Sequence, residues 1–224
     1  MWHRLLDHIL PGEIVGKSTG FTEDIHLDPA QPSFGFLTGI RQLVRYLRAR
    51  EKNLLMPYDI GIKNEAAYIK SLGANALEDK FHGLYNAILN HWFPSSEGYI
   101  IEAQVNVDGG IPEFVVRKVV STGKNTFSRC PVHVTELKRP SLWTEAGKVK
   151  VDRELVGYQE TGLKETTYSK IFGLAGIGSR WKMTALIKSG GPDPDLLQDW
   201  RADIASDASY SLMEPIVAQA KRLR

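Results

Sequence analysis

The segment Val132-His133-Val134-Thr135-Glu136-Leu137-Lys138-Arg139-Pro140 alternates in the two-residue period of a β-strand. Alternate residues of a strand share a face, so Glu136 and Lys138 point the same way near the strand's end. Just upstream, Asp108-Gly109-Gly110 reads as a turn, and Pro112-Glu113-Phe114-Val115-Val116 as the start of the preceding strand. If these strands are neighbours, Glu113 and Glu136 converge on one point. Two carboxylates held together repel unless a cation lies between them, and hard divalent cations favour oxygen ligands. A lysine beside them is placed to orient water or to steady charge building on a phosphate.

Outward from this pair of strands, the elements follow from periodicity. Asn75–Trp92 is predicted to be a helix, with Leu77, Phe81, Leu84, Tyr85, Ile88, Leu89 and Trp92 on its apolar face. Asn75 is its natural N-cap. Glu78, three residues on, either completes a capping box with Asn75 or points towards a site. Tyr99–Val107, Glu113–Val120 and Pro131–Leu137 read as strands, Asp152–Lys164 as a helix, and Ile171–Ile177 and Trp181–Ile187 as two more strands. This order predicts an α/β (α+β) protein with helices packed on a sheet. Residues 71–190 form the expected core. Residues 1–70 are expected to be a mainly helical extension and 191–224 a C-terminal one of polar helices, serving to clamp substrate, to form a homodimer or to recognise a partner.

The set Ile111-Pro112-Glu113-Phe114 and, 23 positions later (136 − 113), Glu136-Leu137-Lys138 resembles the PD-(D/E)XK nuclease superfamily, the restriction-endonuclease-like fold. The resemblance covers residues 75–187 and implies an αβββαβ core with a mixed central sheet. It also implies hydrolysis of phosphodiester bonds in nucleic acid, above all DNA, with Mg²⁺ or Mn²⁺ as cofactor. On that basis Glu113, Glu136, the Leu137 carbonyl and Glu78 are the expected metal ligands or supports. Lys138 is the expected catalytic lysine. Gln159 stands where many members carry a polar residue on the helix after the E-x-K strand. Ile171-Phe172-Gly173-Leu174-Ala175-Gly176-Ile177-Gly178 is similar to a glycine-containing strand common in fungal proteins with this domain. One position departs from the pattern, because Glu113 stands where the family has aspartate. Its extra methylene shifts the carboxylate, and Asp108 is an alternative ligand. The departure leaves a second expectation open, a degenerate member that binds nucleic acid or a protein without cleaving.

Composition narrows the alternatives. The chain has 224 residues, enough for an ample core, and its charged fraction of 24% is ordinary for a globular protein. The single cysteine, Cys130, excludes a disulfide framework and a multi-thiolate zinc site, and is expected to be a buried small hydrophobe. No apolar run is long enough for a membrane helix. The opening MWHRLLDHILPGE reaches acidic residues and Pro11 too soon for a secretory segment, so a reducing intracellular compartment, nuclear or cytoplasmic, is expected. His82 and His91 lack metal-type spacing. His133, facing away from Glu136, is expected to be packed or hydrogen-bonded.

The net charge of +2 is a cancellation. Residues 117–153 carry nine basic residues against three acidic ones, and 193–207 carry five aspartates against Arg201. Arg117, Lys118 and Arg139 are therefore expected to contact nucleic acid. A basic stripe on the predicted helix near residues 36–52, Arg41, Arg45 and Arg48, is either a solvated face or a further phosphate-contacting one.

Overall fold

The computed structural model describes residues 57–108 and 110–223, so the Arg41, Arg45 and Arg48 stripe lies outside the described residues. Four helices and six strands follow in the order α1 (Ile60–Ser71), α2 (Asp79–Trp92), β1 (Tyr99–Ala103), β2 (Phe114–Gly123), β3 (Thr126–Lys138), α3 (Glu145–Glu165), β4 (Lys170–Ile177), β5 (Arg180–Ile187), β6 (Asp195–Arg201) and α4 (Asp207–Lys221). The strands form one sheet in sequence order. Every neighbouring pair is antiparallel except β3 and β4, which run parallel and are joined through α3. The fold is thus α+β, and α2-β1-β2-β3-α3-β4 is the αβββαβ order that the resemblance implied.

Local chemistry sets the helix starts. Asp59 caps α1 by accepting from the Ile62 amide at 3.0 Å, and Thr144 caps α3 by accepting from Gly147 at 3.1 Å. The start of α2 differs from expectation. The helix begins at Asp79 rather than Asn75, Leu77 is left exposed, and Glu78 in the cap position makes no capping bond of its own. The capping-box reading of Glu78 therefore fails, and its carboxylate is directed elsewhere.

Helices cover both faces of the sheet. On one face α1, α2 and α4 bury Ile62, Phe81, Leu84, Tyr85, Met213 and Val217 against Phe172, Leu174 and Trp181. On the other, Val151 and Leu155 of α3 meet Val115, Val134, Ile171 and Ala175. With both its faces covered, β4 reads as an almost continuous apolar run. Its glycines make room for neighbours. A Cβ on Gly173 would lie 2.7 Å from Gln159 Cδ, and one on Gly176 would lie 2.5 Å from Tyr85 Oη and 2.6 Å from Leu137 Cδ2. Both Tyr85 and Leu137 are fully buried. Gly176→Ala is accordingly expected to overpack this layer and cost about 1–3 kcal/mol, read as a fall in Tm; an unchanged Tm would refute the close approach.

A bulge decides which face carries the chemistry. The β2–β3 pairing passes from Val116↔His133 to Arg117↔Pro131, leaving Val132 extra. Val132 packs in the principal core while Val134 packs with α3. The alternation is thereby reset, and Glu136 and Lys138 fall on the α3 face with Val134.

Two elements depart from the sequence reading. Ile60–Ser71, expected within the mainly helical extension, is a helix that contributes Ile62 and Ile69 to the core. Asp195–Arg201, expected to be helical, is strand β6. Its sequence DLLQDWR is polar at an exposed sheet edge and shows no clean apolar alternation, so the pairing with β5 decides its state. No described helix is long and apolar enough to cross a membrane.

Candidate active site

The start of β2 and the end of β3 lie side by side. Phe114, the first residue of β2, pairs with Thr135, so Glu113 just before it and Glu136 just after Thr135 lie at the same end of this strand pair. Both are buried, Glu136 with 2% of its surface exposed. The Lys138 ammonium forms ion pairs with Glu136 Oε1 and, at 2.9 Å, with Glu154 Oε2 of α3. Glu113 Oε2 lies 3.0 Å from His82 Nε2 of α2 and 3.4 Å from Gln104 Nε2. Glu78 Oε2 accepts a hydrogen bond from the Arg139 amide at 3.1 Å, which ties the start of α2 to the end of β3.

Glu136 and Glu154 thus flank Lys138, while Glu113 and Glu78 lie near enough for their charges to act on one another and on this pair. Burial pushes the Glu136 carboxyl up to about 7, and the nearby charges of Glu154 and Glu113 add to the shift; the Lys138 ion pair opposes it without overcoming it. At Lys138 the balance is reversed. Burial works against its charge, but the ion pairs with Glu136 and Glu154 hold the ammonium above the ordinary lysine range. Burial also raises Glu78, with Lys138 opposing and Glu113 adding to the shift. Glu136 Oε2 is buried and has no hydrogen-bond partner. A buried orphan acceptor is costly unless something else satisfies it.

The donor set suits a hard divalent cation. Among the described residues no three His, Cys, Asp or Glu side chains are grouped to hold a metal by themselves. Mg²⁺ does not require such a cage, since it is commonly held by one or two carboxylates together with water and substrate phosphate. Glu113 and Glu136 are the candidate pair, and Glu136 supplies a buried oxygen without a hydrogen-bond partner. Leu137, between Glu136 and Lys138, turns its side chain into the principal core.

Other expected residues have different surroundings. Gln159 is fully buried, donates to the Ile171 carbonyl at 3.2 Å and accepts from Thr184 Oγ1 at 3.1 Å. Its amide joins α3 to β4 and β5. Arg117 is withdrawn from phosphate contact by ion pairs to Glu102 at 2.7 Å and Glu165 at 2.8 Å. Lys118 donates to the Glu97 carbonyl and lies 4.2 Å from the Tyr99 ring centroid. Arg139 is exposed at the end of β3. Asp108 offers its backbone carbonyl to Thr161 at 2.6 Å. His133 is buried, bonded to Thr135 Oγ1 at 3.0 Å, and burial drops its pKa to about 3.

Glu154, His82, Gln104 and Tyr158 were not foreseen. Glu154 carried a signal, because Val151, Glu154, Leu155, Tyr158 and Gln159 occupy the i, i+3, i+4, i+7, i+8 stripe that faces a core. His82 falls one turn after Glu78 on the same helix face. The Tyr158 hydroxyl is raised first by burial, with the charges of Glu136 and Glu154 adding to the shift.

No family model and no curated protein matches the sequence. Among solved structures the chain is similar to the type IIG restriction endonuclease BpuSI, at 13% identity and a TM-score of 0.37, over 64% of this chain. The match spans 16% of that enzyme's chain.

Proposed function

We propose that this protein is a Mg²⁺- or Mn²⁺-dependent phosphodiester hydrolase acting on nucleic acid, with DNA as its substrate. The observation that carries the proposal is the carboxylate cluster in which Glu136 and Glu154 hold Lys138 with Glu113 and Glu78 nearby, and one oxygen of Glu136 is buried and unpartnered. Such a cluster repels a phosphate until a cation offsets it. Glu113 and Glu136 would hold the cation, Glu78 would support it, and the cation when bound would polarise the phosphoryl group as a Lewis acid.

The residues of the chain divide the remaining work. Hydrolysis forms a bond from water oxygen to phosphorus and breaks the bond to the leaving oxygen, the water's proton passing through solvent to that oxygen, with negative charge growing on the phosphoryl oxygens. Lys138, kept protonated by Glu136 and Glu154, is a poor base at neutral pH. Its ammonium instead orients the attacking water and stabilises the developing charge. Glu154 is a positioning residue that fixes the lysine from the helix side.

A second reading rests on Glu113, whose longer side chain stands in the aspartate position and is engaged by His82 and Gln104. Under it the protein binds nucleic acid without cutting. Incubation of labelled DNA with the full chain and Mg²⁺ or Mn²⁺ separates the two. Cleavage that EDTA stops supports hydrolysis. Intact DNA at millimolar metal, with binding retained, supports the second reading.

A further inference from the structure

His82 Nε2 and Glu113 Oε2 lie 3.0 Å apart, yet no hydrogen bond joins them. Nε2 is buried and without a hydrogen-bond partner, because a proton on that nitrogen would not point at the carboxylate oxygen. With its proton on Nδ1 instead, the imidazole presents Nε2 as an acceptor facing a second acceptor. Such a pair repels unless a cation satisfies both. Glu136 Oε2 is likewise buried and unpartnered, and the Glu113 charge acts on that carboxyl. The histidine is held in place from two sides. It stands on α2 one turn after Glu78, and its ring meets Phe114, the residue following Glu113, edge-on at 5.9 Å. Aspartate in place of Glu113 would end one carbon short of this histidine.

We propose that His82 Nε2 is a ligand of the divalent cation beside Glu113 Oε2, and that the site therefore prefers Mn²⁺ to Mg²⁺. The inference rests on the metal-dependent hydrolase reading and selects its cation. Ligand atoms adjacent in an octahedron with bonds of about 2.1 Å lie about 3.0 Å apart, which is the spacing of these two atoms. One histidine and one or two carboxylates suffice where water and substrate phosphate complete the shell, so no three-residue cage is needed. Mg²⁺ favours oxygen on every side and gives up its waters reluctantly, whereas transition ions accept imidazole nitrogen readily. A nitrogen ligand therefore costs Mg²⁺ more than it costs Mn²⁺. The glutamate that departs from the aspartate pattern is, on this account, what brings the carboxylate within reach of α2.

Calorimetric titration of the full chain with MnCl₂ or MgCl₂, and pulsed electron paramagnetic resonance of its Mn²⁺ complex, test this without requiring cleavage. Wild type is expected to bind Mn²⁺ about tenfold or more tightly than Mg²⁺, and its Mn²⁺ spin to couple to an imidazole nitrogen. His82→Gln sets an amide oxygen near the place of Nε2. The variant is expected to lose the nitrogen coupling and about tenfold or more of the Mn²⁺ affinity, while its Mg²⁺ affinity stays within about twofold of wild type. The His82 side chain is 29% exposed, so Tm in EDTA should be unchanged. His91→Gln, at the other end of α2, is the control and should keep the coupling. A wild-type Mn²⁺ complex without nitrogen coupling, or a His82→Gln protein that retains it, overturns the ligand assignment and leaves His82 an ion-pair partner of Glu113. The hydrolase reading then still stands on Glu113 and Glu136. Equal wild-type affinities for the two ions overturn the preference. If wild type binds neither ion at millimolar concentration, the hydrolase reading falls and takes the ligand assignment with it.

Discussion

Lys138→Ala is expected to reduce metal-dependent cleavage roughly a hundredfold or more. Two effects combine. The variant removes the charge that faces the developing transition state, and it leaves Glu136 and Glu154 without the ammonium they share. Glu136, already raised to about 7 with that partner in place, then holds its proton more tightly and is a weaker ligand at neutral pH. Lys138→Met separates charge from packing, because it keeps the aliphatic stem and drops only the ammonium. Initial rates with Mg²⁺, alongside Tm, decide the matter. Wild-type rates in both variants would sink the role given to Lys138. Loss in the alanine variant alone would assign the effect to packing.

The sequence carried the topology because each element there keeps one period over its length. The six-residue apolar face of α2 and the runs of β4 and β5 are examples of segments whose burial agrees with their propensity. That the start of β2 lies beside the end of β3 was legible for the same reason, since consecutive alternating strands pair as antiparallel neighbours. The bulge at Val132 was not legible, because it depends on how β2 and β3 pair and not on β3 alone. β6 was missed because an exposed edge strand has little apolar pattern to show. Glu154 was passed over because a charged residue on a helix usually faces solvent; only its place in the core-facing stripe marked it.

Charge was the least transferable signal. The basic excess counted along residues 117–153 is largely neutralised in space. Arg117 and Arg129 share Glu102, Lys148 meets Glu145, and Lys138 sits between Glu136 and Glu154. Glu102, Glu154 and Glu165 come from outside that segment, so a sum over consecutive residues does not include them. Arg117 is the clearest case, a residue read as phosphate-binding that the fold uses to join β2 to β1 and α3. A site with more carboxylates than cations places the requirement for positive charge on a metal, not on the surrounding arginines.

Glu136→Gln is expected to abolish cleavage and yet leave the protein at least as stable as wild type at pH 8. The folded protein holds the Glu136 proton with a pKa of about 7, above the ordinary 4.5 of a free glutamate. The stabilisation that comes from burying the neutral form is therefore complete below about pH 4.5 and is lost as pH rises through about 7. At pH 8 wild type carries a buried carboxylate that its lysine partner does not fully compensate. Glutamine keeps the shape and an acceptor for Lys138 while removing that charge. The gain at pH 8 is expected to be about 1–2 kcal/mol, which corresponds to roughly 2–4 °C in Tm for each kcal/mol in a chain of this size. The difference in Tm between pH 5 and pH 8 should shrink in the variant. Wild-type cleavage should rise across pH 7, and added Mg²⁺ should move that rise to lower pH, because the metal binds the ionised carboxylate and displaces its proton. Calorimetry at the two pH values and a pH–rate profile provide the readouts. A Glu136→Gln protein that cleaves normally, or that melts well below wild type at pH 8, would remove Glu136 from the metal-binding role and from the strained state assigned to it.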